Sequence, residues 1–275
     1  MPGVRDVRFP EWKAGNDRES GPNPPATTVP ESSAGIPEGP GVCTAHRRAR
    51  LPGGMRQSSP CESGPVTIQG PAGPLEALLA CPEAESEKPI QAVICHPHPL
   101  YGGTLQNKVV HTLARSFAEL GVRTVRFNFR GVGRSAGSFD DGNGESDDLL
   151  AVADWARGRN PAAETWFAGF SFGAYVVLRT AVLRPVSRMV LVAPPVNLYD
   201  FSALPSPGHT AIILHGDQDE VVPVRRVQDW VAGLDDPPQL LVMHGAGHFF
   251  HGRLNDLRAS LQEALASGPL RQPTA

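Results

Sequence analysis

From about residue 64 onward, short apolar runs alternate with helix-patterned segments, and no other feature of the chain restricts its architecture as strongly. A strand followed by a helix returns to the same end of the sheet, so successive strands lie parallel and helices cover both faces. The apolar runs at 90–95, 124–129, 165–170, 189–193, 211–214 and 239–243 read as such strands. Helices are predicted over 109–120, ending at Gly121, over 147–156, led by acidic residues, over 174–183, over 224–234 behind Pro223, and over 253–266. Ahead of them, 66–69 and 75–81 flank Gly70, Gly73 and two prolines and read as an antiparallel hairpin. The predicted fold is therefore α/β: one mostly parallel, doubly wound sheet with an N-terminal antiparallel hairpin, over residues 63–268. No internal repeat is evident.

Residues 1–62 are rich in Gly, Pro, Ser and mixed charge without either periodicity, so they are expected to form a disordered tail, as are 269–275. His46, Arg47, Arg48 and Arg50 read as a solvated linker, and Met55 is a candidate natural start. A net charge of −3 gives no electrostatic footprint for nucleic acid or an anionic membrane. Apolar stretches such as 189–195 are far short of the roughly 20 residues that cross a bilayer. The first 30 residues also lack a secretory pattern, so the expected location is the cytoplasm. Cys43, Cys61, Cys81 and Cys95, without tight spacing, read as free thiols.

Chemistry enters at Gly169-Phe170-Ser171-Phe172-Gly173, which lies between an apolar strand and an apolar helix. A strained turn in that setting lifts the serine above the sheet edge, with glycines where a Cβ would strike neighbouring backbone. It also puts the Phe172 N–H at a helix start, facing any oxyanion formed on an attacked carbonyl. A serine hydroxyl needs a base, and the base a carboxylate. Asp217 and Asp219 follow the strand 211–214, and His244, His248 and His251 follow the strand 239–243. Residues just past the carboxyl ends of parallel strands converge in space, and the chain order is Ser, Asp, His. A second oxyanion donor belongs in the loop 96–103, where Pro97 and Pro99 lack N–H groups and leave His98 and Leu100.

These residues, with Cys95-His96-Pro97-His98-Pro99, Arg126-Phe127-Asn128-Phe129-Arg130-Gly131 and Gly247-His248-Phe249-Phe250, resemble the α/β-hydrolase superfamily, in particular its small lidless bacterial carboxylesterase-like members. The resemblance spans about residues 64–266. It implies Ser171 as nucleophile, Asp219 rather than Asp217 as the carboxylate, His248 as the base, and His98 rather than Leu100 as the second backbone donor beside Phe172. Asp217 then caps a loop, and His251 is a second-layer or structural histidine.

Other motifs have plainer readings. Gly131-Val132-Gly133-Arg134-Ser135-Ala136 fits a dinucleotide pattern, but an acidic Gly-rich loop follows it instead of a helix, so it reads as a tight turn. His244, His248 and His251 sit on no shared helix face that would present metal ligands, and neither metal nor cofactor is expected. Asn107, Lys108 and Glu145 are solvated or bracing positions, and Phe170, Phe172 and Tyr175 chiefly packing. Only a short loop fits between the strands near 195 and 211, so the site is expected to be open. Its rim would comprise Phe172, Phe249, Phe250 and the loop 196–204, with Tyr101 and Phe249 as substrate contacts. The expected function is hydrolysis of carboxylic esters or related small acyl compounds. A thioesterase or peptidase with the same triad and a non-catalytic binding scaffold are the alternatives. The expected partner is the small acyl substrate alone, and oligomeric state is not readable.

Overall fold

Eight strands form one sheet in the order β1-β2-β4-β3-β5-β6-β7-β8. The computed structural model describes residues 61–267. Most of the expected tail, with the basic cluster 46–50, Met55 and Cys43, lies outside the described residues, as does 269–275. β1 (Gly64–Gly70) and β2 (Gly73–Ala80) pair antiparallel across the loop 71–72, and β2 pairs antiparallel with β4 (Arg123–Phe127). β3 (Ile90–Cys95), β5 (Glu164–Phe170), β6 (Arg188–Val192), β7 (Ala211–Gly216) and β8 (Gln239–Met243) run parallel to β4.

The central strands β3, β5, β6 and β7 bury both faces, as their near-continuous apolar runs require. Val93 and Cys95 of β3 face one core, which α2 (Asn143–Arg159), α3 (Phe172–Ala181) and α4 (Val224–Ala232) cover through residues such as Leu149, Val176 and Val227. Ala92 and Ile94 face the other, closed by Leu113 and Phe117 of α1 (Lys108–Glu119) and Leu257 and Leu261 of α5 (Leu254–Ala266). Both sides of β3 therefore exclude water, and the useful surface is the row of loops at the strands' carboxyl ends.

Strand order fixes where those loops diverge. The chain leaves β3 for β4 on one side and later returns to β5 on the other, so the crevice at the β3–β5 boundary is a topological switch point. Residues 193–210, joining β6 to β7, contain no helix or strand, in keeping with the expected absence of an inserted lid.

Two expectations need correction. α2 begins at Asn143 rather than 147: the Glu145 carboxylate accepts from the Gly142 and Asp140 N–H groups at 2.8 and 3.0 Å, capping a helix start that two glycines disguise. Cys61 and Cys81 are not free thiols but a disulfide, because the hairpin returns the end of β2 to the segment ahead of β1. Cys95 is free and buried.

Candidate active site

Ser171 closes β5 at φ 53° and ψ −118°, a backbone conformation that costs a non-glycine residue about 1–3 kcal/mol. The surroundings enforce it. A Cβ on Gly169 would lie 2.3 Å from the Gly173 carbonyl group, and one on Gly173 would lie 2.5 and 2.6 Å from the Cys95 and His96 carbonyl oxygens. With backbone packed that closely, the Ser171 side chain has one way out, above the sheet edge. The Ser171 N–H donates to the Val192 carbonyl at 2.8 Å, and Phe172 opens α3 with an N–H that has no acceptor inside the helix.

Two loops from the far half of the sheet meet this serine. The His248 Nε2 lies 3.0 Å from Ser171 Oγ, and its Nδ1 lies 2.8 Å from Asp219 Oδ2. A carboxylate only accepts, so Nδ1 carries the proton and Nε2 presents a lone pair to the hydroxyl. Asp219 is held in turn: Oδ1 accepts from the Val221 and Val222 N–H groups at 2.9 and 2.7 Å. Both His248 and Asp219 are buried, whereas Ser171 is half-exposed. Asp217 is not part of this chain of bonds. Its carboxylate takes the Gly245 N–H at 2.7 Å and the His244 Nδ1 at 2.8 Å, pinning the loop that carries His248. Those partners hold the Asp217 carboxyl below the usual range, the His244 hydrogen bond most strongly.

Two residues escaped the sequence reading. Glu220 Oε2 accepts the His248 N–H at 3.2 Å. His215, fully buried at the end of β7, donates from Nε2 to the Val222 carbonyl at 2.8 Å and stands 3.5 Å from Asp219 Oδ2, while its Nδ1 has no partner. Burial depresses its basicity, so it braces the Asp219 loop as a neutral ring. Neither carried a sequence signal beyond lying beside the Gly216-Asp217-Gln218-Asp219 and Gly247-His248 stretches.

The loop after β3 is wired from both ends. His96 Nδ1 donates to the Pro97 carbonyl at 2.6 Å, and its Nε2 accepts from the Phe129 N–H at 3.0 Å, which fixes the tautomer. Burial holds its pKa down at about 4, so the ring is neutral. Asn128 Oδ1 accepts from the Leu105 N–H at 2.8 Å at the loop's other end. A trans peptide sets the carbonyl and the next N–H in opposite directions, so a Pro97 carbonyl turned toward His96 turns the His98 N–H away from it. The Leu100 N–H is committed to His98 Nδ1 at 3.2 Å.

The rim differs from expectation. Phe172 and Phe250 are buried rather than lining: Phe172 packs against His98 and Phe129, and Phe250 turns at φ 52° into the core closed by α1 and α5. Tyr101 is exposed and packs on His98, and Phe249 is half-buried against His248. His251 is exposed, stacked on Phe249 and outside the Ser171 constellation. Asn107 caps α1, Lys108 is solvated, and Glu145 is buried as the α2 cap. Residues 131–136 form a turn bound to Glu76, which accepts from Asn128 and Arg134. Among the described residues no cluster of His, Cys, Asp and Glu is arranged to hold a metal, and no helix is long and apolar enough to cross a membrane. A groove of about 500 Å³ between β8 and α5 is lined by His244 but by none of Ser171, Asp219 and His248.

The sheet order, the switch point and the strand–serine–helix turn define the α/β-hydrolase fold. A family model described as serine aminopeptidase, S33, matches residues 93–209. An α/β serine hydrolase without lid from Xanthomonas campestris is 44% identical with TM-score 0.74, covering 78% of this chain and 99% of that one. An α/β serine hydrolase homologue from Coxiella burnetii is 47% identical with TM-score 0.72, covering 75% and 100%. An uncharacterized Rickettsia prowazekii protein is 36% identical over 213 residues, 73% of this chain and 87% of its own length. The chain belongs to the α/β serine hydrolase family and is similar to its lidless members.

Proposed function

We propose that the protein hydrolyses carboxylic esters or related small acyl compounds through an acyl-enzyme on Ser171. The observation that carries this is the continuous bond chain from Asp219 through His248 to the Ser171 hydroxyl, at 2.8 and 3.0 Å. His248 Nε2 takes the hydroxyl proton as Oγ attacks the carbonyl carbon, and Asp219 steadies the imidazolium. The negative oxygen of the tetrahedral intermediate meets the N–H groups of Phe172 and His98. The helix start supports the first, and the Pro97 carbonyl bound to His96 supports the second. Collapse of the intermediate sends the proton from His248 to the leaving oxygen. Water, deprotonated by the same ring, then releases the acid and restores Ser171. Tyr101 and Phe249 are the proposed substrate contacts at the rim.

The family description as a serine aminopeptidase supports a second reading, in which the same residues cleave an amide; a thioester would use them equally. A binding-only scaffold would leave the bond chain without use. Ester preference rests on the resemblance to lidless carboxylesterase-like members, and the short β6–β7 connection favours small soluble substrates. The decisive test is fluorophosphonate labelling with ester, thioester and amide panels. Labelling of the folded protein, lost in Ser171→Ala, with turnover of small esters above amides is expected; equal labelling of both proteins would sink the proposal. A cytoplasmic setting stays a proposal, and the Cys61–Cys81 disulfide stands against it. Thiol alkylation of the protein as it leaves its own cells decides between the two.

A further inference from the structure

Rings flank the site on the face of the sheet covered by α2, α3 and α4, opposite the face on which Phe170 and Phe249, the ring neighbours of His248, pack. His98 lies with its centroid 4.6 Å from Tyr101, 4.8 Å from Phe139 and 5.0 Å from Phe172. Phe172 continues the contact to Phe139 at 5.6 Å and to Tyr199 at 5.7 Å. Tyr199 stacks on Tyr175 at 4.4 Å, with 20° between planes. The buried members, Phe172 and Tyr175, form a floor; His98, Phe139 and Tyr199 are half-exposed and Tyr101 is exposed, so the wall keeps ring surface accessible. His98 belongs to it as an uncharged ring, since burial lowers its pKa to about 4 and leaves it neutral at pH 7.

The chemistry assigns this wall to one part of the substrate. The leaving oxygen must receive its proton from His248, so the leaving group lies on the side of His248, whose ring neighbours are Phe170 and Phe249. The carbonyl oxygen points at the Phe172 and His98 N–H groups. What remains, the acyl substituent, extends away from His248 and over the ring wall. Aromatic pairs favour offset-stacked or edge-to-face contact beyond their area burial, and saturated rings of similar volume gain no such term.

We propose, resting on the Ser171 hydrolase reading, that the preferred acyl group carries a planar aromatic ring close to the carbonyl, held against His98, Phe139 and Tyr199. The rim then selects by ring character rather than by chain length.

Boronic acids test this without fixing the leaving group, because each forms a tetrahedral adduct on an active serine with its carbon substituent in the acyl position. Benzylboronic and cyclohexylmethylboronic acids are compared as competitors of fluorophosphonate labelling of the full chain. The aryl compound is expected to compete at least threefold more tightly, the stacking term being worth roughly 2–12-fold per ring pair. That ratio is expected to fall toward one in Tyr199→Leu and Phe139→Leu and to persist in Tyr199→Phe. A wild-type ratio below threefold, or a ratio unchanged in both leucine variants, overturns the proposal, and the wild-type measurement holds even where a variant fails to fold. Turnover of p-nitrophenyl acetate separates the two levels. Acetate hydrolysis without an aryl preference removes this inference alone, whereas absence of both labelling and hydrolysis removes the reading beneath it.

Discussion

The two halves of the site are held by different physics. On the β3–β5 side, Ser171 and the loop after Cys95 are set by sterics: backbone atoms lie too close to Gly169 and Gly173 for any side chain, and Pro97 and Pro99 restrict the loop. On the β7–β8 side, Asp219 and His248 ride on turns pinned by backbone N–H groups that donate to the Asp217, Asp219 and Glu220 carboxylates and by the His215 ring, which donates to the Val222 carbonyl. The first half is preformed and, apart from the neutral His96 ring that ties its loop, set by contacts that do not titrate, as a nucleophile and oxyanion donors require. The second depends on charge and tautomer, as proton transfer requires. Damage to the second half should therefore abolish chemistry while sparing the fold, and damage to the first should be felt in transition-state binding or in folding itself.

The sharpest break falls on the charged half. Asp219→Asn keeps the size of the side chain but presents an amide that favours the wrong His248 tautomer. A loss of kcat of about 10⁴-fold is expected, the size seen when this exchange is made in a serine–histidine–aspartate triad. Steady-state hydrolysis beside an unchanged urea midpoint is the pair of measurements, and retention of more than a tenth of the activity would contradict the assignment. The steric half is tested by comparing His98→Pro with His98→Ala. Position 98 has φ −52° and ψ 123°, which proline accepts, so the two variants share the lost ring and differ in the N–H. If that N–H stabilises the oxyanion, kcat for the proline variant should lie about 10²–10³-fold below the alanine variant. Equal rates would transfer the role to another donor.

The same division explains what the sequence made legible. Sterically fixed features announce themselves locally: Gly-x-Ser-x-Gly between apolar runs and the run 239–243 placed β5, Ser171 and β8 without reference to distant residues. Features made by distant residues did not. Asp217 and Asp219 are equivalent by spacing, and their different partners, Gly245 and His248, exist only once β7 and β8 lie side by side. Cys61 and Cys81 stand 20 residues apart and meet only because β1 pairs with β2. The start of α2 was hidden because Gly142 and Gly144 read as loop, while the cap that decides it is the Glu145 side chain. Phe250 read as rim by its neighbourhood to His248, yet the turn at φ 52° directs it into the core. The ring wall drew on Phe139 and Tyr199 from loops that no spacing rule connects.

The smallest effect sharpens the comparison where one titratable group serves the steric half. His96 must be neutral to accept from the Phe129 N–H while donating to the Pro97 carbonyl. Its folded pKa of about 4 lies below the ordinary 6.5, so folding favours the unprotonated ring. For a depressed pKa the unfolded chain binds the proton first on acidification. The stabilisation is therefore present above pH 6.5 and is lost as pH falls toward 4. Linkage puts the loss from this residue between pH 7 and pH 5 at about 2 kcal/mol. Other buried histidines contribute slopes of their own, and comparison with His96→Asn removes them. The variant should be less stable at pH 7, and its urea-derived stability should fall less over that interval, by about the same 2 kcal/mol. Parallel curves would mean that His96 does not change its proton affinity on folding, and that the loop bearing His98 is held by the prolines and Asn128 without it.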